Sequence, residues 1–526
     1  MSDSIFFTTP IYYTNDVPHI GHAYSSIIAD VMSRSYRMLG RKVKFCTGVD
    51  ENSQKALIKA QELGMEIHEY LDMMAGKHKA IRDGLTISYT DFIRTTESRH
   101  HDYVQKILAQ THQAGDIYQW VYEWLYCVGC EGFKKSSDLT PDWLCPDHLK
   151  APTVIHENNR FFRLSAYQDA LEKLYQDNPQ FIIPESRFAE VKTFVQWGLE
   201  DFSASRQTNT FGIPLPWDPS QVTYVRYDAL LNYLTVCQWG DEEFAHNMIH
   251  IVGKDITRFH AIYWPAMMMS MMKSDSSLGD ILPKHILTTG FLTVDGIKMS
   301  KSLGNVINPV DLVNQYGRDS LVLYLLYDLK LGSDGDFSRT RFQQMYQSML
   351  VWWRGNLVNR VCSLAKKYEV NTAHLDVSIV TMIQSLIQSM QIDNPLTKLI
   401  LSNFDAHIIQ NYLVISDLNQ YLTDRYQTIQ LCNKLVDETK PRWLLKTWDE
   451  QGTAVIQTLL YLIYRINILS GPYLLDGYQK VSSNLWVNVL DTCVDQDISW
   501  LRNQSSLSLC LNPHIVYSPL DSLLQP

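Results

Sequence analysis

The chain has 526 residues, 45% of them hydrophobic and 19% charged, with a formal net charge of -10. This length predicts several structural units of roughly 100–200 residues each, and the composition excludes a disordered or fibrous protein. The acidic balance argues against non-specific binding of nucleic acid, although a local basic surface remains compatible with it.

The first predicted elements are a strand, a helix and a second strand. Residues 5–9 and 43–47 are short apolar runs of β-prone side chains,. Between them, apolar residues follow helical spacing up to Gly40, a residue type suited to the left-handed position after a helix,. This βαβ pattern predicts parallel strands and an α/β fold with a doubly wound sheet, in which ligands bind outside the carboxyl ends of the strands.

The segment PHIGH, residues 18–22, lies where the first strand leads into the helix. Backbone N–H groups at a helix start favour an anion, and the imidazoles of His19 and His22 can donate hydrogen bonds to phosphate oxygens. A structural turn explains an isolated HxGH motif equally well. The acidic pair Asp50-Glu51 follows the second strand and is therefore expected at the same edge of the sheet,.

Four potential metal ligands follow in the middle of the chain. Cys127 and Cys130 form a CxxC pair, and fourteen residues later Cys145 and His148 form a CxxH pair. Three thiolates and one imidazole suit a tetrahedral structural Zn²⁺ with no open position. The alternative is a chance cluster of unligated cysteines.

A second motif, FLTVDGIKMSKSLGN, occupies residues 291–305. Asp295-Gly296 predicts a hairpin turn, and Lys298 and Lys301 lie on a Ser-rich segment that predicts a mobile loop. Taken alone, such a loop is usually a solvated surface feature. Short helices are predicted from Asn308 to Gly317 and from Asp319 to Tyr327, and the helical periodicity beyond about residue 345 indicates a helix bundle.

PHIGH and KMSKS resemble the two signatures of class I aminoacyl-tRNA synthetases. FFTTPIYYTNDVPHIGHAYSSIIADV, FIRTTESRH, IVGKDITRFHAIYWPAM and GFLTVDGIKMSKSLGNVINP more specifically resemble the methionyl-tRNA synthetase family, and the similarity reaches about residue 445. The resemblance implies a Rossmann-type catalytic domain in two halves, a connective insertion with a single zinc knuckle, a KMSKS loop and stem-contact region, and a helical anticodon-binding domain with a C-terminal tail. The predicted catalytic domain comprises residues 1–116 and 223–283, and the insertion between its halves comprises residues 117–222. The KMSKS loop and stem-contact region is predicted at 284–345, and the anticodon-binding domain with its tail at 346–526.

The resemblance also implies an activity. The family activates L-methionine with ATP and Mg²⁺ to methionyl-adenylate, releases pyrophosphate, and transfers the methionyl group to the 3′ end of tRNA(Met). It assigns catalysis to His19, His22, Lys301 and Lys298. ATP binding is assigned by the same resemblance to His19, Gly21, His22, Asp255 and Lys301.

The methionine pocket implied by the resemblance takes residues from the first two strands, from VTYVRYDALLNYLT, which resembles the family's second pocket strand, and from IVGKDITRFHAIYWPAM. Its predicted residues are Ile11, Tyr13, Asp50, Tyr233, Phe259 and His260. Asp50 is the expected counter-charge of the substrate ammonium, while ordinary core packing is the alternative for Tyr233 and Phe259. Arg226 stands where the family usually has a tryptophan, and we expect its guanidinium either to pair with an acid or to reach water.

Anticodon recognition is assigned by resemblance to the bundle. The predicted residues are Asn356 and Arg360, four apart on one helical face, and Arg442 and Trp443, with a solvated face or an ordinary bundle hydrogen bond as the alternative. Arg442 stands where the family usually has a base-stacking tryptophan, so either Arg442 or Trp443 is expected to stack. We expect a cytoplasmic monomer with no membrane partner, since the N-terminus lacks a signal-peptide pattern and no long apolar run stands out.

Two other functions compete with the methionyl-tRNA synthetase. One is a related class I synthetase with an altered amino-acid pocket, or a small nucleotidylyltransferase that shares the HxGH turn but would be far shorter. The other is a divergent, non-catalytic RNA-binding paralogue, suggested by Arg226 and Arg442. The presence of His19, His22 and the KMSKS segment argues against the paralogue.

Overall fold

The computed structural model describes residues 4–127, 132–134, 138–146, 149–207, 211–237, 241–299, 303–370, 418–447 and 450–485. The chain forms two compact units. The first holds residues 1–18, 44–83 and 89–289, and the second holds residues 19–43, 84–88 and 290–526. The linear domain boundaries drawn from the sequence stay a prediction.

The strands are numbered in chain order. They are β1 (Ser4–Tyr13), β2 (Lys42–Asp50), β3 (Asp91–Arg94), β4 (Ile117–Cys127), β5 (Gly132–Lys134), β6 (Thr153–Phe162), β7 (Ile182–Ile183), β8 (Phe202–Ser203), β9 (Ser205–Arg206), β10 (Pro214–Leu215), β11 (Asp218–Thr223), β12 (Met248–Gly253), β13 (His285–Thr289), β14 (Leu292–Val294), β15 (Ile297–Lys298) and β16 (Gly335–Phe337).

The α-helices are numbered in the same way. They are α1 (Ile20–Met38), α2 (Gln54–Glu62), α3 (Ile67–Gly84), α4 (Ser98–Gln113), α5 (Gln168–Asp177), α6 (Glu185–Gln196), α7 (Val225–Thr235), α8 (Trp264–Ser274), α9 (Pro309–Tyr316), α10 (Arg318–Leu323), α11 (Arg339–Met345), α12 (Asn356–Lys367), α13 (Leu418–Thr439), α14 (Pro441–Lys446), α15 (Glu450–Ser470) and α16 (Leu475–Leu485). π-Helical segments lead into α8 and α12 and follow α10.

The first unit is built on a six-stranded sheet with the order β3-β2-β1-β12-β13-β7. β1 pairs in parallel with β12, β12 with β13, β13 with β7, and β2 with β3. Phe6 and Phe7 point to opposite faces of β1 and are both fully buried, as in a sheet that is covered on both faces. The predicted α/β doubly wound fold is confirmed, and its strand order reverses between β1 and β12.

Residues 117–223 add two smaller sheets to the first unit, with the orders β5-β4-β6-β8 and β10-β11-β9. β7, from the same segment, instead extends the edge of the parallel sheet. Phe162 of β6 is fully buried and belongs to the same hydrophobic core as Phe6 of β1. The segment therefore shares the core of the unit from which it emerges.

In the second unit, the predicted hairpin at Asp295-Gly296 is present. Both residues have positive φ, 50° and 77°, and β14 pairs with β15 through Val294 and Ile297. A two-residue loop with positive φ at both positions matches the right-handed twist of the flanking strands, and Asp-Gly suits it. The hairpin joins β16 in a sheet of order β15-β14-β16.

A buried arginine ties together distant segments of the second unit. The Arg318 guanidinium, at the start of α10, donates to the carbonyl oxygens of Leu85 and Tyr473 at 3.0 and 3.1 Å, and it also pairs with Asp30 of α1. A fully buried cation is tolerated when its donors are satisfied in this way. This network links α1, α10 and the segment before α16.

The C-terminal helices α12, α13, α15 and α16 pack on one another as the predicted bundle. Helix α15 is long and apolar enough, by length and composition, to cross a membrane, with a mean hydropathy of 1.3 over its best window. The sequence analysis overlooked this run. Because 83% of that window is buried inside the protein, its environment is that of a core helix. The predicted C-terminal tail, from 486 onward, lies outside the described residues.

Buried histidines in the first unit predict a loss of stability in mild acid. Burial lowers the pKa of His78 and His260 to about 4 and that of His100 to about 3, against about 6.5 in an unfolded chain. The unfolded state therefore binds protons first. The free energy of unfolding is therefore unaffected by these histidines above pH 6.5. It decreases as the pH drops towards 4, by up to about 1.4 kcal/mol per pH unit for each histidine.

Denaturant unfolding between pH 7 and pH 5 measures this effect. We expect His100→Gln to reduce the pH dependence of the unfolding free energy, since glutamine has no proton to bind. Exposed His68 offers a matched control, and His68→Gln should leave the dependence unchanged. Equal slopes for His100→Gln and the wild type would contradict the prediction.

Candidate active site

Three predicted site residues of the first unit lie at the carboxyl ends of neighbouring strands. Tyr13 ends β1, Asp50 ends β2, and Asp255 comes two residues after β12. Since β1 and β12 flank the point where the strand order reverses, this edge is where a doubly wound sheet binds its ligand. Ile11 and Tyr13 are half-buried, so both are accessible from the edge.

Asp50 and Glu51 are adjacent but have different environments. Glu51 is fully buried, and its carboxylate accepts from the Arg94 guanidinium at 3.0 and 3.1 Å and from the Thr96 hydroxyl. Burial raises the pKa of the Glu51 carboxyl, and Arg94 and Thr96 offset part of that rise. Glu51 therefore holds β2 and β3 together, which leaves Asp50 as the acid at the sheet edge.

The loop after Asp50 is organised by the side chains of Asn52 and Ser53. The Asn52 side chain donates to the Asp228 carboxylate at 2.9 Å and to the Thr95 carbonyl at 3.1 Å. The Ser53 hydroxyl caps α2 by accepting from the backbone N–H of Ala56 at 3.1 Å,. Both side chains therefore form hydrogen bonds that hold the chain just after β2.

Tyr233 and His260, both predicted for the methionine pocket, are brought together. The Tyr233 hydroxyl lies 2.6 Å from His260 Nε2, and His260 Nδ1 lies 3.0 Å from the Ile256 carbonyl oxygen. Since a carbonyl only accepts, Nδ1 carries the proton and Nε2 accepts from the tyrosine. Burial lowers the pKa of His260 to about 4, so this neutral tautomer is the one present at neutral pH.

A second buried histidine, which the sequence analysis missed, lies behind this pair. The ring centroid of His250 is 4.6 Å from that of Tyr233 and 5.2 Å from that of His260. Its Nδ1 lies 2.6 Å from the Thr8 hydroxyl oxygen. The available signal in the sequence was a lone histidine within the apolar segment MIHIVG, which ends directly before Lys254.

The chain around Arg226 is helical from Val225 to Thr235, and not the pocket strand that the resemblance implied. Arg226 is half-buried near the start of α7, and its guanidinium carbon lies 4.6 Å from the ring centroid of Phe259 and 5.8 Å from that of Tyr224. Aromatic faces thus stabilise the cation, a possibility that the sequence analysis did not consider. Phe259 is also half-buried, so the stack lies at an accessible surface and not in the closed core.

In the second unit, His19 and His22 form a reciprocal cap at the start of α1. His19 Nδ1 accepts from the backbone N–H of Gly21 and His22 Nδ1 accepts from that of His19, both at 3.1 Å. In a neutral imidazole whose Nδ1 accepts, the proton is on Nε2. The cap therefore selects the tautomer in which each ring carries an Nε2–H donor, and the ring centroids are only 4.1 Å apart.

The two signature motifs meet within this unit. A Cβ added to Gly21 would lie 2.9 Å from His19 Cε1 and 3.7 Å from the Met299 methyl group. The backbone N–H of Ile20 donates to the Ile307 carbonyl at 3.1 Å. Glycine at 21 therefore allows the close approach of His19.

Of the two predicted loop lysines, Lys298 is exposed, whereas Lys301 lies outside the described residues.

Two of the four predicted zinc ligands lie among the described residues. Cys127 ends β4 opposite Gly132 of β5, and Cys145 is fully buried in a turn that its own backbone closes with Lys150 and Leu149. Cys130 and His148 lie outside the described residues. Both thiols are buried, and among the residues that the structure describes no three potential ligands come together as a metal site.

Three of the four predicted anticodon residues line one groove of about 750 Å³ at the surface of the bundle. Trp443 is 63% exposed there, and Arg360 forms an ion pair with Asp437 at 3.1 Å. Asn356 is exposed on α12 but is not among the lining residues. The basic residues of the groove are Arg360, Lys367, Lys440, Arg442 and Lys446. A basic groove with an exposed aromatic ring suits an unstacked nucleic-acid strand.

Comparison with known proteins identifies the family. Residues 5–151 and 135–362 match the family model described as tRNA synthetases class I (M). The chain is 38% identical to the methionine-tRNA ligase of Fusobacterium nucleatum over 511 residues, which cover 95% of this chain and 76% of that protein. It is 40% identical to that of a Nostoc species over 489 residues, covering 91% and 88%.

Solved structures give the same result. Methionyl-tRNA synthetase of Mycobacterium tuberculosis with bound methionyl-adenylate superposes with a TM-score of 0.85 at 30% identity, covering 98% of this chain and 100% of that chain. The ligand-free form of that protein gives a TM-score of 0.76 at 29% identity.

Proposed function

Because the chain belongs to the methionyl-tRNA synthetase family, we infer that it is the ligase that joins L-methionine to tRNA(Met) at the expense of ATP. The observation that carries this inference is the proximity of the two signatures: the Met299 methyl group lies 3.7 Å from where a Cβ on Gly21 would be, beside the capped histidines. A structural turn at residues 18–22 would not require a second signature segment beside it.

In the first step, an oxygen of the methionine carboxylate attacks the α-phosphorus of ATP, and pyrophosphate leaves. We assign the amino-acid side of this step to the first unit. Asp50 neutralises the substrate ammonium, and the Tyr233–His260 pair forms one wall of the side-chain pocket. Since His260 is neutral and hydrogen-bonded on both nitrogens, the wall carries no charge that would oppose a thioether.

We assign the phosphate side to His19, His22 and the loop lysines. The Nε2–H groups that the cap of α1 selects are donors for the charge that develops on the phosphates as pyrophosphate leaves. Lys298 and Lys301 add positive charge from the loop, and a contact made only in the closed state raises turnover more than affinity. Mg²⁺ enters with ATP and offsets the charge of its phosphates.

In the second step, a ribose hydroxyl of the terminal adenosine attacks the methionyl carbonyl, and AMP leaves.

Amino-acid-dependent exchange of pyrophosphate into ATP tests the proposed reaction. Each of the twenty amino acids is supplied separately to the full chain with Mg²⁺ and ATP. We expect exchange with methionine at a rate well above that with any other. Exchange with a different amino acid would indicate the altered-pocket synthetase, and its absence with all twenty would indicate the non-catalytic paralogue.

The basic groove of the bundle is proposed to receive the anticodon. We predict that Trp443→Ala lowers kcat/KM for tRNA by about 10- to 100-fold, since stacking contributes roughly 1–3 kcal/mol per base. Pyrophosphate exchange, which needs no tRNA, should be unaffected. Trp352 is 56% exposed in the same unit but outside the groove, so Trp352→Ala is the matched control. An equal loss in both variants would contradict the assignment.

We propose that Cys127, Cys130, Cys145 and His148 hold one structural Zn²⁺. Purified protein should then contain about one zinc per chain, as four protein ligands saturate a tetrahedral ion. Cys145→Ser should release the metal and lower the thermal stability of the first unit. Cys362 is equally buried but lies on α12, so Cys362→Ser should retain zinc. Elemental analysis of the three proteins decides the matter, and a zinc-free wild type would overturn the proposal.

We further propose that the enzyme acts as a monomer in the cytoplasm, where its substrates ATP and tRNA are available. Sedimentation of the purified chain with and without tRNA measures the oligomeric state. Cell fractionation measures the location.

A further inference from the structure

The side chain of Asn52 joins three segments that contribute to the predicted methionine pocket or lie beside it. Its amide nitrogen donates to the Asp228 carboxylate at 2.9 Å and to the Thr95 carbonyl oxygen at 3.1 Å. Asn52 lies two residues after the end of β2, Thr95 lies directly after β3, and Asp228 is in the first turn of α7. One amide group therefore connects the ends of two neighbouring strands to the helix that carries Tyr233.

The environment of this link makes it strong. Asn52 is 2% exposed and Asp228 is fully buried, so water does not compete for the bond. A hydrogen bond to a charged group in a low-dielectric interior is stronger than one at the surface. Because a carbonyl oxygen and a carboxylate only accept, the nitrogen and not the oxygen of the Asn52 amide faces them, and its two N–H groups supply one donor for each acceptor.

The same contacts hold the chain that follows the pocket acid Asp50. The backbone N–H of Glu51 donates to the Thr95 hydroxyl at 2.8 Å, and the next residue, Asn52, donates to the Thr95 carbonyl. Two consecutive residues are thus bound to one residue of the neighbouring segment. Since Asp50 directly precedes them, the position of its carboxylate depends on these bonds.

Helix α7 is held near both of its ends. At its start, Asp228 accepts from Asn52, and at its last residue the Thr235 hydroxyl oxygen lies 2.9 Å from His100 Nδ1 on α4. Tyr233 lies between these contacts, about 1.4 turns after Asp228. The 2.6 Å contact of its hydroxyl with His260 therefore depends on where α7 is anchored.

We propose that Asn52 is a positioning residue for methionine binding, which sets the separation of Asp50 from the Tyr233–His260 pair by linking the end of β2 to α7. The inference rests on the proposed function and adds to it a residue that acts through others, since Asn52 is itself buried. Loss of the link displaces the group that binds the substrate ammonium relative to the wall of the side-chain pocket. Methionine binding weakens, whereas the groups assigned to the phosphates are unaffected.

Pyrophosphate exchange by the full chain, at varied methionine and varied ATP, tests the proposal. Asn52→Ala removes both donors, and we expect it to raise KM for methionine about 10-fold, the lower end of the range for a hydrogen bond to a charged group. Asn52→Asp should raise it further, because it places a second carboxylate beside that of Asp228. kcat and KM for ATP should change little in both variants, as expected when only ground-state binding of methionine is weakened.

A reciprocal exchange and a neighbouring residue provide the controls. The double variant Asn52→Asp/Asp228→Asn reverses donor and acceptor, so it should recover much of the methionine affinity that Asn52→Asp loses. Ser53→Ala removes a different hydrogen bond of the same loop, the cap of α2. It should lower the melting temperature without raising KM for methionine.

Each other outcome contradicts the proposal. If Asn52→Ala lowers the melting temperature but keeps the wild-type KM for methionine, or if Ser53→Ala raises that KM equally, Asn52 has only a structural role. A double variant no better than Asn52→Asp would show that the bond to Asp228 is not the cause. If Asn52→Ala does not fold, Asn52→Ser decides, since its single hydroxyl serves only one acceptor, and a wild-type KM overturns the proposal.

Failure of this inference is distinguishable from failure of the proposed function. If the wild type exchanges pyrophosphate with methionine and the variants at position 52 share its KM, only the role of Asn52 is wrong. If the wild type shows no methionine-dependent exchange, the proposed function fails and this inference fails with it.

Discussion

Replacing His22 with asparagine is expected to slow methionine-dependent pyrophosphate exchange by about 10²- to 10³-fold, the usual effect of removing one preorganised donor from a developing charge. Asparagine Oδ1 occupies a position equivalent to histidine Nδ1, so it can still accept from the backbone N–H of His19, as His22 does at 3.1 Å. What the substitution removes is the Nε2–H donor. The rate should therefore fall without loss of the helix cap.

Two further measurements separate catalysis from capping. The melting temperature of His22→Asn should match that of the wild type, whereas His22→Ala, which removes the acceptor as well, should be less stable by about 1 kcal/mol. KM for methionine should change little, because the imidazole is assigned to the phosphates. A rate loss that appears in His22→Ala but not in His22→Asn would show that only the cap matters.

Asp50→Asn is the second large effect. We expect kcat/KM for methionine to fall about 10²-fold or more, mainly through KM, because the substitution leaves the substrate ammonium without its counter-charge. The side chain keeps its size, so the end of β2 should keep its conformation. Steady-state exchange at varied methionine concentration measures the effect, and the melting temperature checks the fold.

The adjacent Glu51 is the matched control for Asp50. Glu51→Gln removes the same charge one residue later, but from a carboxylate that is buried against Arg94 at 3.0 Å. We expect a lower melting temperature and an unchanged KM for methionine. If Glu51→Gln raised KM as much as Asp50→Asn, the ammonium could not be assigned to Asp50 alone.

Much of the local structure could be predicted because its causes lie within short segments. The predicted βαβ start is observed as β1, α1 and β2, with Gly40 at a φ of 76°. The Asp295-Gly296 hairpin and the helix between Asn308 and Gly317 also follow from neighbouring residues. The family could be identified for the same reason, since both of its signatures are contiguous.

Other features depend on residues far apart in the chain. The stack of Arg226 on Phe259 joins positions 33 residues apart, and an aromatic partner for this arginine was not expected from the sequence. His250 was missed because a lone histidine in a strand carries no signal until Tyr233 and His260 are seen to pack against it. The apolar run of α15 was also overlooked. Its length and composition would suit a membrane span, and only its burial shows that it is a core helix.

The sequence by itself determined the family, the α/β class and the residues of the two signatures, because contiguous motifs and hydrophobic periodicity act over a few turns or strands. It also placed His19 and His22 at a helix start. The cap that selects their Nε2–H groups forms among residues 19 to 22 and is therefore also local. Only the tertiary structure decided the tautomer of His260 and the aromatic contact of Arg226, because their partners Tyr233 and Phe259 are 27 and 33 residues away in the chain,.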